Sequence, residues 1–198
     1  MAQVKYLKKI LDAGSDNVNF FGGSFTGGYR IQQNPMEFSS LVEFLENKSY
    51  KKFLEIGSAS GGSMRFLCEN LIINEAFSID LGNHESAHLF HENTKHLNVA
   101  QCICDSHDME AYDYIREKIG KIDLCIIDGG HTYEDVALDI LLVRNFLEDG
   151  AIVVFHDTDK IKEVNEAIEK HATFMTKVAH FVDNDNPFGI SIFQYQSN

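Results

Sequence analysis

Two hydrophobic periods alternate along this chain of 198 residues. Short runs that are apolar on both faces, such as 122–128 and 151–156, are typical of strands in a parallel sheet that helices cover on both sides. Between such runs, apolar residues recur at helical spacing, most clearly over 133–147, and a helix over 62–73 is predicted after the first strand. The alternation predicts a doubly wound α/β fold. Strands are predicted at 52–57, 76–80, 100–104, 122–128, 151–156, 174–182 and 189–195.

The last two predicted strands form an antiparallel pair, because residues 184–188 between them are too few for a helical crossover. We therefore expect a seven-stranded, mostly parallel sheet whose last strand is antiparallel. Ahead of the sheet, the pattern predicts one helix over 3–13 and another over 35–47. Asn34 is expected to cap the second helix, and Glu37 to complete a capping box.

A glycine-rich segment with interspersed phenylalanines, 20–28, separates these two helices and predicts a loop or a mobile flap. We expect residues 1–48 to form helices and a flap over the site, and residues 49–198 to form the core domain. The apolar stripe of the first helix can dock on its own chain or across a homodimer, so the sequence leaves the oligomeric state open.

Composition narrows the classes of function. Hydrophobic residues make up 44% and charged residues 24%, as in an ordinary globular domain. Acidic residues outnumber basic ones 30 to 17, which argues against nucleic acid or an anionic membrane as partner. No apolar run is long enough to span a membrane. The four cysteines form no Cys-x-x-Cys pair, so we expect reduced thiols and a cytoplasmic protein.

Polar residues follow five predicted strands at the point where each strand ends. In an open parallel sheet, ligands bind beyond the carboxyl ends of the strands, so these residues are predicted to share one site. Acidic residues there can also cap helices, as Thr132 and Asp135 are spaced to do, but capping does not account for all five strand ends. The strand-end segments are 55–62, 80, 105–106, 128–131 and 156–158.

The turn after the first strand, Gly57-x-Ala59-x-x-Gly62, is a degenerate form of the dinucleotide fingerprint. A dinucleotide would bring a doubly negative pyrophosphate to this turn, where Glu55 would repel it. S-adenosylmethionine instead brings an ammonium and a sulfonium, which a carboxylate favours, and helix-start amides can bind its carboxylate. The residues therefore favour S-adenosylmethionine, and an NAD(P)-dependent oxidoreductase is the alternative.

Two later strand ends fit the rest of this nucleoside. Asp80 ends the second strand, where a carboxylate can accept hydrogen bonds from both ribose hydroxyls. Asp105 and Ser106 end the third strand and are placed for the adenine amine.

Together these residues resemble the cofactor site of class I S-adenosylmethionine-dependent methyltransferases. The segments 31–35, 127–134 and 150–158 resemble small-molecule O-methyltransferases related to catechol O-methyltransferase and to antibiotic- and sugar-tailoring enzymes. The resemblance covers roughly 29–195 and implies a Rossmann-like methyltransferase fold. The family often has glycine at position 59, where this chain has alanine. The cofactor-binding residues that it implies are Glu55, Gly57, Ser58, Ala59, Gly61, Ser63, Asp80, Asp105, Ser106 and Asp128.

The resemblance also implies methyl transfer to a hydroxyl of a small molecule, such as a sugar, a phenol or a natural product. The acceptor must lose its proton, and a positioned base typically contributes ~10²–10⁴-fold. His131, together with Asp128, is the catalytic candidate, because imidazole titrates near neutral pH. Catechol-type relatives have a lysine at the matching place. His131 bonding only to backbone, and an inactive protein that binds S-adenosylmethionine, are the alternatives.

Asp128 and Asp157 end adjacent predicted strands and are candidates to share a divalent cation such as Mg²⁺ or Mn²⁺. In metal-dependent relatives an Asp-Asn pair follows the fifth strand, whereas this chain has Asp157-Thr158. His156 is a candidate replacement ligand, although histidine suits Mn²⁺, Fe²⁺ or Zn²⁺ better than Mg²⁺. The sequence leaves metal dependence open.

A rival motif is His84-Glu85-Ser86-Ala87-His88, which matches the His-Glu-x-x-His signature of zinc hydrolases. Its neighbours are polar rather than those of a buried apolar helix, and the third ligand of the extended signature is absent, since position 94 is threonine. The pattern therefore favours a solvated surface segment over a zinc site.

Overall fold

The computed structural model describes residues 5–13 and 29–197. Within these ranges, seven strands form one sheet in the order β3-β2-β1-β4-β5-β7-β6. Strand β7 runs antiparallel to both of its neighbours, and the other pairs are parallel. This confirms the predicted fold class. The strands are β1 (Ser49–Ile56), β2 (Ile72–Asp80), β3 (Val99–Ile103), β4 (Ile122–Ile127), β5 (Leu147–Phe155), β6 (Met175–Phe181) and β7 (Ile190–Tyr195).

Helices cover both faces of the sheet, and each face has its own apolar core. Helices α1 to α4 bury residues such as Phe38 and Phe66 against one face, and helices α5 to α7 bury residues such as Ile140 and Ile168 against the other. A 3₁₀ turn precedes α4 at Ala87–Leu89, and a π-helical segment follows α5 at Ile115–Ile119. The helices are α1 (Leu7–Asp12), α2 (Pro35–Leu45), α3 (Gly62–Asn70), α4 (Phe90–Thr94), α5 (Met109–Tyr114), α6 (Tyr133–Arg144) and α7 (Lys162–His171).

Two predicted helix ends are too late. The helix predicted to begin at 62 ends at Asn70, because Ile72 already pairs with β1 as the first residue of β2. The helical pattern over 133–147 ends at Arg144, because Leu147 opens β5 and pairs with Ile122 of β4. In both places an apolar residue fits the helical period and a strand equally well, and pairing in the sheet determines which of the two it joins.

Asn34 caps α2 as predicted, and its side chain accepts hydrogen bonds from the amides of Met36 and Glu37. The predicted capping box is wrong, because the buried Glu37 carboxylate accepts three backbone amides from the loop between β6 and β7 instead. Burial raises the pKa of Glu37, although these amides act in the opposite direction. This contact holds the loop residue Phe188 at the site described below.

The predicted division at residue 48 stays a prediction. In the described part of the chain, α2 packs into the same core as β1, with Phe38 and Phe53 both buried there. The predicted flap over 20–28 lies outside the described residues. No helix within 5–13 or 29–197 has the length and apolarity needed to cross a membrane.

Candidate functional site

A cavity of about 720 Å³ opens at the carboxyl ends of the parallel strands. The structure brings together side chains or backbone from all five strand ends that the sequence singled out. This is the position that a ligand occupies in open α/β sheets. The predicted residues that line the cavity are Gly57, Ser58, Ala59, Ser63, Asp80, Asp105, Ser106, Asp128, His131, His156 and Asp157.

The turn after β1 requires glycine at its first position. Gly57 has φ of +84°, and a Cβ atom there would lie 2.1 Å from the carbonyl oxygen of Asp128. Gly61 also has a left-handed backbone and is the N-cap of α3, but it does not line the cavity. Because Gly57 has no side chain, the β1 turn and the segment after β4 can approach each other closely.

Left-handed backbone is concentrated around the cavity. Among the described residues, Arg30, Ala59 and Asp157 are the non-glycine residues with positive φ, and all three line the cavity. Such conformations are unfavourable for residues with a Cβ atom and persist where the surrounding structure enforces them, often at functional sites. The alanine at position 59 therefore adopts a backbone, at φ of +44°, that glycine would adopt without strain.

Asp80 is held in place by the two loops beside it. One carboxylate oxygen accepts the amide of Ala59 at 2.8 Å, and the other accepts the amide of Gly82 at 2.7 Å. Each oxygen keeps a further lone pair for a ligand. The orientation of this carboxylate on the cavity wall fits a ribose diol.

The end of β3 forms a further wall. Asp105 and Ser106 line the cavity as predicted, together with His107. The His107 ring lies 3.4 Å from a carboxylate oxygen of Asp105 and 3.5 Å from one of Asp139, a fully buried residue of α6. Burial raises the pKa of Asp139 to about 6. Sequence reasoning missed His107 and Asp139, because Asp139 stands in a helical stretch without any motif.

Glu55 lies beneath the cavity and does not line it. Its side chain is buried next to a second, much smaller cavity, where one oxygen accepts a hydrogen bond from Ser63 Oγ at 2.7 Å. The other oxygen has no hydrogen-bond partner. Burial raises the pKa of Glu55 to about 8. Burial therefore keeps the carboxyl group mostly neutral at pH 7, contrary to the charged carboxylate expected from the sequence.

At the end of the cavity formed by β4 and β5, opposite the wall at the end of β3, two histidines and two aspartates form a charged cluster. His131 Nε2 lies 2.8 Å from Asp157 Oδ2 and 3.8 Å from Asp128 Oδ1. His156 Nδ1 lies 3.1 Å from Asp128 Oδ1 and 3.3 Å from Asp157 Oδ2, and its ring stacks on Phe188. We call these four residues the Asp-His cluster. Gln33 adds a hydrogen bond of 2.7 Å to Asp128.

Electrostatics favours the charged forms within the Asp-His cluster. The neighbouring carboxylates of Asp128 and Asp157 raise the pKa of His131 to about 10, although burial acts in the opposite direction. Burial opposes a charge on His156, but the two carboxylates outweigh it and hold its pKa well above the usual value. Burial likewise opposes the charges on Asp128 and Asp157, but the two histidines hold both pKa values below the usual range. Two imidazolium ions therefore balance two carboxylates at neutral pH.

Comparison with known proteins agrees with this geometry. Residues 54–158 match the model of a family described as a methyltransferase domain. The chain belongs to this methyltransferase family. The prediction of a class I S-adenosylmethionine-dependent methyltransferase is thereby confirmed, and we do not retain the oxidoreductase alternative.

Among relatives by sequence, an uncharacterized protein of Acanthamoeba polyphaga mimivirus is 27% identical over 161 residues. The alignment covers 78% of the methyltransferase chain and 66% of the viral protein, so the chain spans less than two thirds of that relative.

Solved structures share the fold of the methyltransferase. The O-methyltransferase TomG of Streptomyces achromogenes, in complex with S-adenosylmethionine, has a TM-score of 0.69 at 15% identity, covering 98% of this chain and 90% of TomG. An O-methyltransferase of Bacillus cereus gives 0.68 at 12% identity, covering 99% and 93%. The N-methyltransferase NodS of Bradyrhizobium japonicum gives 0.66 at 15% identity, covering 88% and 94%.

The rival zinc motif does not have the geometry of a zinc site in this methyltransferase. Residues Ala87–Leu89 form a 3₁₀ turn rather than part of an α-helix, so His84 and His88 are not stacked one α-helical turn apart. Glu85 pairs with Arg30 at 2.5 Å, and His84 Nδ1 contacts Ser86 Oγ at 2.7 Å. These contacts agree with the surface segment expected from the sequence.

The buried carboxyl group of Glu55 leads to a test of stability against pH. The folded methyltransferase keeps the Glu55 proton up to about pH 8, whereas the unfolded chain loses it near 4.5. Between these values the folded state binds more protons, so raising the pH favours unfolding by up to about 1.4 kcal/mol per pH unit from this group. We expect Glu55→Gln to remove this contribution in urea denaturation at a series of pH values.

The matched control is Glu163→Gln, which changes an exposed carboxyl group at the start of α7 and should keep the wild-type dependence on pH. If Glu55→Gln and wild type lose stability in parallel from about pH 5 to about pH 8, Glu55 does not carry a raised pKa.

Proposed function

We propose that this methyltransferase transfers the methyl group of S-adenosylmethionine to a hydroxyl oxygen of a small molecule. The supporting observation is that the Asp-His cluster and the glycine turn of β1 line the same cavity. A hydroxyl group is a weak nucleophile until its proton is removed, so the acceptor needs groups that bind or withdraw a proton beside the methyl donor. The O-methyltransferases TomG and that of Bacillus cereus have the same fold.

In this proposal the nucleoside lies along the ends of β1, β2 and β3. Asp80 accepts the ribose hydroxyls, since both of its oxygens are already oriented by loop amides. Asp105 and Ser106 face the adenine. The turn at Gly57 binds the methionyl part, and Glu55 lies below it with one unpartnered oxygen. A methionyl ammonium beside Glu55 would favour the charged carboxylate, so ligand binding is expected to release the Glu55 proton.

The acceptor oxygen would lie at the Asp-His cluster, where His131 is our candidate base. Between Asp128 and Asp157, His131 holds its proton, which makes it a poor proton acceptor at neutral pH. His131 can therefore act as the base only when another positive charge pairs with these two carboxylates. Its pKa then falls, and it gives up its proton more readily.

Ligand atoms of Asp128, His131 and Asp157 lie within 4.8 Å of one another, so this donor set fits a divalent cation. The third ligand in this set is His131, whereas the sequence suggested His156. With a cation bound to its ring, His131 would be a ligand rather than the base, and the cation would activate the acceptor instead. Asp157 Oδ1 is buried and has no hydrogen-bond partner, as expected of an oxygen available for a metal. A cation bound there would lower the pKa of an acceptor hydroxyl. One imidazole and two carboxylates suit Mn²⁺ or Fe²⁺ better than Mg²⁺.

The test is turnover on paired acceptors that differ only in the nucleophile, such as catechol and 2-aminophenol or a sugar and its amino analogue. We expect formation of S-adenosylhomocysteine and a methylated oxygen in the product, identified by mass spectrometry. Methylation confined to nitrogen would contradict the proposal. Nucleoside binding without transfer to any hydroxyl in a broad panel would instead support the inactive, cofactor-binding alternative.

A further inference from the structure

Two thiol groups meet at the adenine end of the cavity. The sulfur atoms of Cys102 and Cys104 lie 3.0 Å apart. Cys102 lies in β3 and Cys104 directly follows it, two positions later, so both side chains point to the same side. Both are partly exposed, and Cys104 lines the cavity. Neither thiol has a part in the proposed methyl transfer.

We propose that Cys102 and Cys104 form a redox-active pair, which closes to a disulfide on exposure to a peroxide and weakens cofactor binding when closed. A disulfide has an S–S length of about 2.05 Å, so the two sulfurs need to approach by about 1 Å. The weakened binding rests on the proposed function, which places the adenine at this wall.

The chemistry balances with hydrogen peroxide as oxidant. Cys104 is reached through the cavity, and its sulfur attacks one peroxide oxygen, which breaks the O–O bond, releases the first water and leaves a sulfenic acid. Cys102 then attacks the Cys104 sulfur, the S–S bond forms, the S–O bond breaks and a second water leaves. The two thiols lose two electrons and two protons, and the peroxide is reduced to two water molecules.

The position of Cys104 explains how formation of the disulfide would affect cofactor binding. Its backbone amide donates to the carbonyl oxygen of Asp80 at 3.1 Å, and the next two residues are Asp105 and Ser106. Drawing Cys104 towards Cys102 therefore displaces the wall that faces the adenine. Misplacement of binding groups by about 1 Å can cost up to ~10²-fold, so we expect about ten-fold weaker binding.

Reaction is expected to be slow at neutral pH. Burial, the neighbouring Cys102 and the carboxylates of Glu110 and Asp105 raise the pKa of Cys104 to about 12. Burial raises the pKa of Tyr114 to about 12, and the same two thiols add to this effect. Because the thiolate is the nucleophile, oxidation should accelerate as the pH is raised.

The experiment treats the reduced, full-length chain with hydrogen peroxide and maps its peptides by mass spectrometry. We expect a loss of about 2 Da within the Cys102–Cys104 peptide, reversed by dithiothreitol. Cys102→Ser must abolish this loss, with Cys102→Ala as a second variant if serine impairs folding. Cys68→Ser, which changes a partly exposed thiol of α3, must retain it. Absence of the crosslink in wild type overturns the proposal.

The second measurement is calorimetric titration of S-adenosylhomocysteine into reduced and oxidised protein. About ten-fold weaker binding after oxidation, restored by dithiothreitol and absent in Cys102→Ser, supports the proposal. A crosslink that leaves affinity unchanged overturns it. If even the reduced protein does not bind the nucleoside, the proposed function and the effect on cofactor binding both fail, whereas the mass map still decides whether the disulfide forms.

Discussion

Replacing Asp157 with asparagine is expected to lower the rate of methyl transfer by at least about 100-fold, the lower range for loss of a positioned proton-transfer group. Asparagine keeps the shape of the side chain and tolerates the left-handed backbone at φ of +59°, so the change removes mainly the charge. His131 and His156 then share only Asp128, and the donor set for a cation loses a carboxylate. The rate is measured as S-adenosylhomocysteine formed at saturating cofactor.

The control is Asp185→Asn, an exposed aspartate in the loop between β6 and β7, which should keep the wild-type rate. Affinity for S-adenosylhomocysteine should be nearly unchanged in both variants, because the cluster lies at the acceptor end. Activity of Asp157→Asn within two-fold of wild type would show that the Asp-His cluster is not part of the reaction. Full wild-type activity in EDTA would remove the cation but not the cluster from the mechanism.

Gly57→Ala is expected to be the most destabilising change in the glycine turn. The methyl group would lie 2.1 Å from the carbonyl oxygen of Asp128, and the residue would also adopt an unfavourable positive φ. The matched control is Gly120→Ala, which has φ of +76° but no atom within 4 Å of the added methyl group. A positive φ strains alanine in both variants, and the ψ of −118° at Gly120 lies outside the left-handed helical region, so the backbone cost there is not reduced. Overpacking adds about 1–3 kcal/mol in Gly57→Ala alone.

Urea denaturation of the two variants measures this difference directly. Gly57→Ala should also lose nucleoside binding, since either the turn or the segment after β4 must move, whereas Gly120→Ala should bind as wild type does. A stability loss below about 1 kcal/mol in Gly57→Ala, with nucleoside binding unchanged, would mean that the close approach of Gly57 to Asp128 is not a feature of the folded protein.

Much of the site could be predicted because it consists of strand ends. The apolar runs at 122–128 and 151–156 are buried on both faces in any parallel sheet, and the polar residues that follow such runs must gather at one edge. Asp80, Asp105, Asp128 and Asp157 were found in this way. The exact helix ends at Asn70 and Arg144 could not be predicted, because a local pattern does not show which strand an apolar residue will join.

The hydrophobic pattern could not predict contacts between residues that are far apart in the sequence. Glu37 was expected to cap its own helix, but its carboxylate accepts hydrogen bonds from amides some 150 positions later. This contact depends on where the β6–β7 loop lies in the folded protein. His107 meets the buried Asp139 of α6 without any motif that marks this pair.

The sequence by itself determined the sheet, the position of the ligand cavity and the acidic strand ends around it, because alternating hydrophobic periods and chain order dictate which residues reach one edge. Only the tertiary structure decided the protonation states at that edge. Glu55 is mostly neutral because it is buried below the cavity, and His131 is cationic because two carboxylates from different strands converge on its ring. A pKa depends on burial and on neighbouring charges in three dimensions, which residue order alone does not specify.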